Sequence, residues 1–281
     1  MKIISNQQNL KFDIKIFHGG EINFRFENDL AQRGINDVTI QTQIRSSDDI
    51  MALLNATAAL REFEVEKISL EMYYCPYGRQ DRVCNIGEAL SIKVFTDLIK
   101  SQGYKRITVF DPHSDVQTAL LNAKVRDSFD FVSEAYHKIP YTEIDGVKLA
   151  PIIISPDGGA LKKVGKLAKR LNKPFISASK YRDVDGGELD EDAIIVNGSV
   201  EGRNCVIIDD ICSGGATFIN LGEKLKEMGA EKLYLIVSHA EGEYGLNNVL
   251  KTYEHIYTTN SMGELPQIDE VSVYDLFEIK E

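Results

Sequence analysis

The 281-residue chain has no apolar run of membrane-spanning length, no tryptophan and only four cysteines, and its 32 basic residues are outnumbered by 43 acidic ones. Each shortage excludes something. Without roughly 20 consecutive apolar residues no transmembrane helix is expected, and the opening MKIISNQQNLKF lacks the apolar core of a signal peptide. Cys75, Cys84, Cys205 and Cys212 show neither a CxxC pair nor Cys/His zinc spacing. Their mostly apolar neighbours predict buried free thiols in a reducing compartment, so the cytoplasm is the expected location. A formal net charge of −11 argues against a nonspecific nucleic-acid or membrane binder. An anionic substrate would therefore need local cations or a metal ion. The missing tryptophan carries no functional information.

What is present is a soluble α/β pattern. Hydrophobic residues make up 43% and charged residues 27% of a chain long enough for two cores. Strand-like DVTIQTQI (37–44) leads into SSDDIMALLNATAALREF, with capping Ser and Asp residues and apolar positions at helical spacing. Strand KISLEMYY (67–74), helix EALSIKVFTDLIKSQG (88–103) and strand KRITVF (105–110) follow. After an irregular stretch around 127–148 come strand APIIIS (150–155), helix GGALKKVGKLAKRLN, strands PFISAS and CVIIDDI, helix ATFINLGEKLKEMGA and strand EKLYLIVSHA. Gly103 and Gly229 stand where helix C-caps are expected. Such alternation implies parallel sheets covered on both faces, with ligands beyond the C-terminal ends of the strands. The expected domains are 1–145 and 146–281, divided where KIPYTEIDGVKLAP loses periodicity.

The chemistry-bearing residues cluster at those strand ends. In VIIDDICSGGATF, Asp209 and Asp210 end an apolar run, and Ser213-Gly214-Gly215-Ala216-Thr217 opens a helix. Paired carboxylates hold Mg²⁺ or accept from sugar hydroxyls, and a glycine turn at a helix start presents N–H groups to phosphate. SPDGGALKK repeats the arrangement with Asp157. YCPYGRQDR places Arg79, Gln80, Asp81 and Arg82 after a strand, a set suited to a nucleotide base or to phosphate. FDPHSD offers Asp111 and His113 for Mg²⁺ or ATP phosphates, and SKYRDVDGGELDED carries Lys180 and Arg182 on a glycine-bearing loop able to close over a polyphosphate. FHGGE, with Phe17 and Glu21, suggests only a hairpin. Taken singly, each of these segments also reads as an ordinary solvated loop.

Taken in order, F-x-x-G-E, P-Y-x-R-Q-D-R, D-x-H, S-P-D-x-G, K-x-R and V-x-x-D-D resemble the ribose-phosphate pyrophosphokinase family over nearly the whole chain. The resemblance implies two phosphoribosyltransferase-type (Rossmann-like) α/β domains, each a mostly parallel sheet flanked by helices. It implies that Phe17 and Glu21 contact the adenine of ATP across a subunit interface of a homo-oligomer (dimer or hexamer), and that Arg79, Gln80, Asp81 and His113 bind ATP. Asp111, His113 and Asp157 would serve Mg²⁺, Lys180 and Arg182 would be catalytic, and Asp157, Asp209, Asp210 and residues 213–217 would hold the ribose and its phosphate. The implied reaction moves the β,γ-diphosphate of Mg-ATP to the C1 hydroxyl of a 5′-phosphorylated ribose, releasing AMP.

Departures from the family pattern bear on the acceptor. The usual loop is D-D-x-x-D-T-G-G-T, whereas here Ser213 replaces an acid, Gly214 a threonine and Ala216 a glycine. The opened loop favours ADP-ribose as acceptor, as part of NAD rebuilding, with ribose 5-phosphate as the alternative. A phosphoribosyltransferase that consumes PRPP, or a catalytically silent homologue, is the remaining reading. Gly19 stands where an Asn is usual, and shortening after RQDR and at the C-terminus argues against allosteric control of the long bacterial and animal type.

Overall fold

Runs of apolar, β-branched residues alternate with amphipathic helices to build one sheet in each of two units. The computed structural model describes residues 1–5, 7–27, 34–180 and 194–277. The units are Met1–Asp127 with Ser261–Gly263, and Ser128–Asn260 with Glu264–Glu281.

The first unit contains β1 (Lys2–Ser5), β2 (Gln8–Asn9), β3 (Phe12–Ile16), β4 (Ile22–Phe26), β5 (Asp37–Gln43), α1 (Ser47–Glu62), β6 (Lys67–Tyr74), α2 (Ser91–Ser101), β7 (Arg106–Phe110), α3 (Asp115–Leu121) and β8 (Lys124–Arg126). Its sheet runs β2-β1-β5-β6-β7-β8. Strands β5 to β8 are parallel, and β1 and β2 join antiparallel at one edge. The first helix begins where the sequence predicts, at a reciprocal cap. Ser46 Oγ accepts from Asp49 N at 3.2 Å while Asp49 Oδ2 accepts from Ser46 N at 2.9 Å. Leu53, Ala56 and Leu60 of α1 pack with Ile40, Leu70 and Val109 of the sheet. Gly103 follows α2 with φ +59°, the left-handed turn that a glycine makes without strain. Strands β3 and β4 form a separate hairpin resting on α1, where Asn55 Nδ2 donates to Ile22 O at 2.9 Å.

The second unit contains α4 (Phe129–Lys138), β9 (Thr142–Ile144), β10 (Val147–Leu149), β11 (Ile152–Ser155), α5 (Leu161–Leu171), β12 (Phe175–Lys180), β13 (Ile194–Val196), β14 (Cys205–Cys212), α6 (Ala216–Glu227), β15 (Leu233–Ala240), α7 (Glu243–Val249), β16 (His255–Thr259) and β17 (Val271–Tyr274). The sheet order is β13-β12-β11-β14-β15-β16-β17, parallel except for β13 against β12. All of β11 and β15 is buried, as expected of central strands covered on both sides. Alternate residues feed two cores. Ile152, Ile154, Ile207 and Leu235 pack with α6, while Ile153, Val206, Ile208 and Ile236 pack with α4 and α5.

Two expectations differ from this arrangement. The stretch 127–148 is a helix and a hairpin, and the units divide at Asp127/Ser128, ahead of the expected 145/146. The reason is packing. Phe131, Val132, Ala135 and Tyr136 form one face of α4 against the second sheet, and Tyr136 Oη donates to Pro151 O at 2.7 Å. Asn204 N donates to Thr142 Oγ1 at 2.8 Å, tying the hairpin to the same unit. The second difference is Cys84. Cys75, Cys205 and Cys212 are buried, but Cys84 is exposed, as are its apolar neighbours Val83 and Ile86.

Candidate active site

Asp209 and Asp210 lie within β14, which continues through them to Cys212. Asp209 is half-buried and Asp210 is buried, and Asp210 N donates to Asp209 Oδ1 at 2.9 Å. Burial first, then the adjacent Asp210 charge, pushes the Asp209 carboxyl well above the ordinary carboxylate range. Asp157, which follows the neighbouring strand β11, adds to the same effect. One Asp157 oxygen is engaged locally, because Oδ1 accepts from Ala160 N at 2.9 Å at the entrance to α5. Ser155 Oγ donates to Asp157 O at 3.1 Å, which fixes the turn.

The strand hands over to α6 through Ser213-Gly214-Gly215. Gly215 has φ +86° and caps the helix, accepting from Phe218 N and Ile219 N at 3.0 Å each. Gly214 and Ala216 are exposed, and a Cβ at Gly214 would meet nothing within 4 Å. The amides that open a helix have no partner within it and sit at the positive end of its dipole. That is the physical basis for an anion at this turn.

The loop has a floor that its own sequence does not reveal. A Cβ at Gly245 of α7 would collide with the Ser213 carbonyl, and one at Gly215 would come within 2.7 Å of Val249 Cγ2. Helix α7 therefore touches the loop backbone to backbone. Only the glycines of EGEYGLNN hinted at such an approach.

Lys180 ends β12, its register partner being Ile194. Arg182 and the Lys180 side chain lie outside the described residues.

In the first unit, the expected nucleotide residues fall on three segments. Phe17 and Glu21 close the β3–β4 hairpin, where Phe17 N donates to Glu21 O at 2.9 Å, and both side chains are exposed. Arg79 and Gln80 are exposed on the turn after β6, held by Gln80 N donating to Tyr77 O at 2.9 Å, with Asp81 half-buried beside them. After β7, Asp111 is buried and His113 exposed. Asp111 has φ +43°, a left-handed conformation rare outside glycine, and its N–H donates to Arg126 O at 2.9 Å. Gln117, which sequence reasoning passed over, joins the second and third segments. The hairpin belongs to a different sheet.

Among the described residues, no three His, Cys, Asp or Glu side chains converge as a metal cage. Mg²⁺ is commonly held by one or two carboxylates together with substrate phosphates and water. The Asp157 and Asp209–Asp210 oxygens fit that requirement.

The sheets and strand-end sites define a protein of the phosphoribosyltransferase-domain class. A family model described as "Phosphoribosyl transferase domain" matches residues 121–263, and one described as "N-terminal domain of ribose phosphate pyrophosphokinase" matches residues 4–103. The chain is 30% identical over 214 residues to a ribose-phosphate pyrophosphokinase of Cereibacter sphaeroides, covering 74% of this chain but only 60% of that protein. It is 28% identical over 273 residues to the ribose-phosphate pyrophosphokinase of Sulfurisphaera tokodaii, covering 95% and 89%. A crystal structure of phosphoribosylpyrophosphate synthetase from Mycobacterium smegmatis shares the fold, with a TM-score of 0.77 at 22% identity over 95% of this chain and 86% of that one. The chain belongs to the ribose-phosphate pyrophosphokinase family, a family of diphosphotransferase enzymes. No helix among its described residues is long and apolar enough to cross a membrane.

Proposed function

We propose that the protein transfers the β,γ-diphosphate of ATP to the anomeric hydroxyl of ribose 5-phosphate. The observation that carries this reading is the junction of Asp209 and Asp210 with the glycine turn opening α6 on one strand end. The carboxylates accept from the ribose hydroxyls, and the amides around Gly214 to Thr217 receive the 5-phosphate. Arg79, Gln80, Asp81 and His113 bind the nucleotide, and Phe17 and Glu21 reach the adenine of a neighbouring copy in a homo-oligomer. The C1 oxygen attacks the β-phosphorus, the bond from that phosphorus to the α,β-bridging oxygen breaks, and AMP leaves carrying the bridging oxygen. The C1 hydroxyl proton passes to solvent. Magnesium bound with the nucleotide supplies charge neutralisation. Catalysis of this kind rests on alignment and electrostatics, without a protein nucleophile. Cys212 fits that account, since burial pushes its thiol up to about 12. Buried free thiols at Cys75, Cys205 and Cys212 favour a cytoplasmic setting.

ADP-ribose is the second reading of the acceptor, favoured by the open space at Gly214 and the exposed Ala216. The names of the relatives support ribose 5-phosphate more strongly than ADP-ribose. Protein, Mg²⁺ and ATP incubated with each sugar, with AMP and product followed by mass spectrometry, separates the two. Ribose 5-phosphate is expected to give AMP and a diphosphorylated sugar. Turnover of ADP-ribose alone would replace the acceptor, and no AMP with either would overturn the reaction.

Lys180→Ala tests the charged loop. Loss of a cation placed on developing charge is expected to lower kcat by about 10²–10³-fold, with Tm unchanged. An unaffected rate would remove Lys180 from the mechanism.

A further inference from the structure

Gln117 is a polar side chain only 1% exposed. A buried carboxamide is costly unless both its ends find partners. Here they find two different segments. Oε1 accepts from Ser114 N at 3.3 Å, in the loop after β7, and Nε2 donates to Cys75 O at 2.9 Å, where the chain leaves β6. The amide also lies against Gly78, where an added Cβ would stand 2.9 Å from both Nε2 and Oε1. Both segments hold a residue in the left-handed region, Tyr77 at φ +63° and Asp111 at φ +43°. Non-glycine residues stay in that region when their surroundings over-determine them.

We propose that Gln117 is a positioning residue for nucleotide binding. Its carboxamide locks the Arg79–Gln80 turn to the Asp111–His113 loop, so that both meet ATP as one preformed surface. This rests on the assignment of those segments to ATP given above. Gln117 is buried and acts through its neighbours, so the signature is in ATP affinity and not in the chemical step.

The experiment measures ATP dissociation constants by calorimetry, without acceptor, for the wild type, Gln117→Met, Gly78→Ala and the double variant, with Tm for each. Met keeps the length of the side chain but leaves the Ser114 N–H and Cys75 carbonyl without their partner. ATP affinity is expected to fall about tenfold, the equivalent of one lost hydrogen bond. Gly78→Ala presses a methyl group onto the fixed amide and is expected to weaken ATP binding similarly. In the double variant the flexible thioether yields to the methyl. Its affinity is expected to match that of Gln117→Met alone, a non-additive pair. The acceptor KM is expected to stay at the wild-type value. A lowered Tm with unchanged ATP affinity would make Gln117 a core residue only, and additive losses would break the proposed coupling. A wild type that fails to bind ATP would instead overturn the nucleotide assignment on which the proposal rests.

Discussion

Gly245→Ala is expected to raise the acceptor KM by about 10²-fold or more while ATP affinity stays at the wild-type value. The added Cβ meets the Ser213 carbonyl, a backbone atom that cannot turn away as a side chain would. Either α7 moves out or the loop 213–215 moves up, and Gly215 restricts the second route. Its φ of +86° is a left-handed turn with little room to change, and it packs on Val249 of the same helix α7. A displacement of about 1 Å in a positioning element is enough for a loss of that size. Overpacking also lowers stability, by about 1–3 kcal/mol, so Tm is measured alongside steady-state kinetics. Titration of ATP provides the internal control, because the segments proposed to bind the nucleotide belong to the other unit. An acceptor KM at the wild-type value would show that the loop does not depend on α7.

That α7 had to be found in three dimensions illustrates what a sequence encodes plainly and what it hides. The central strands were legible because parallel strands buried on both faces are written as apolar runs, as in KISLEMYY and CVIIDDI. The acids at their ends stood out against those runs. A backbone-to-backbone contact leaves no side-chain pattern beyond the glycines that permit it, so nothing marked Gly245 as the floor of the loop. Gln117 was invisible for a related reason, since a buried, fully engaged carboxamide has the same letter as a solvated one. Helix α4 was lost because its apolar face is short and acidic residues flank it, Asp127 and Asp130 at its start. The exposed Cys84 shows the converse error, local apolarity taken for burial. The acceptor resists reading because the proposed phosphate site is built of main-chain amides. Ser213, Gly214 and Ala216 change side chains around them without altering what the amides offer.

Asp209→Asn is expected to raise thermal stability while lowering acceptor turnover, with a pH dependence that follows from the sign of the shift. Burial and the neighbouring Asp210 hold the Asp209 carboxyl well above its ordinary value of 3.8. The folded chain therefore keeps a proton that the unfolded chain releases. Between 3.8 and the raised folded value, the unfolded state binds fewer protons, so wild-type stability falls as pH rises through that window. Above it the full penalty of a buried, like-charged pair remains. Asn is neutral at every pH and retains an oxygen able to accept from Asp210 N, so it escapes the penalty without losing that hydrogen bond. The Tm difference between variant and wild type is expected to be small below pH 4 and to grow towards neutrality. At a pH above the raised folded value, where Asp209 is ionised, the same change would remove a charged acceptor from the hydroxyls of the proposed ribose acceptor. About 1.5–3 kcal/mol for a hydrogen bond to a charged group corresponds to a loss of roughly 10- to 100-fold in kcat/KM for the acceptor. A variant less stable than wild type across the whole pH range would refute the electrostatic account of Asp209. The carboxylate is held in a place costly to the fold, and the ligand that donates to it recovers part of that cost on binding. Saturating acceptor should therefore raise the Tm of the wild type more than that of Asp209→Asn.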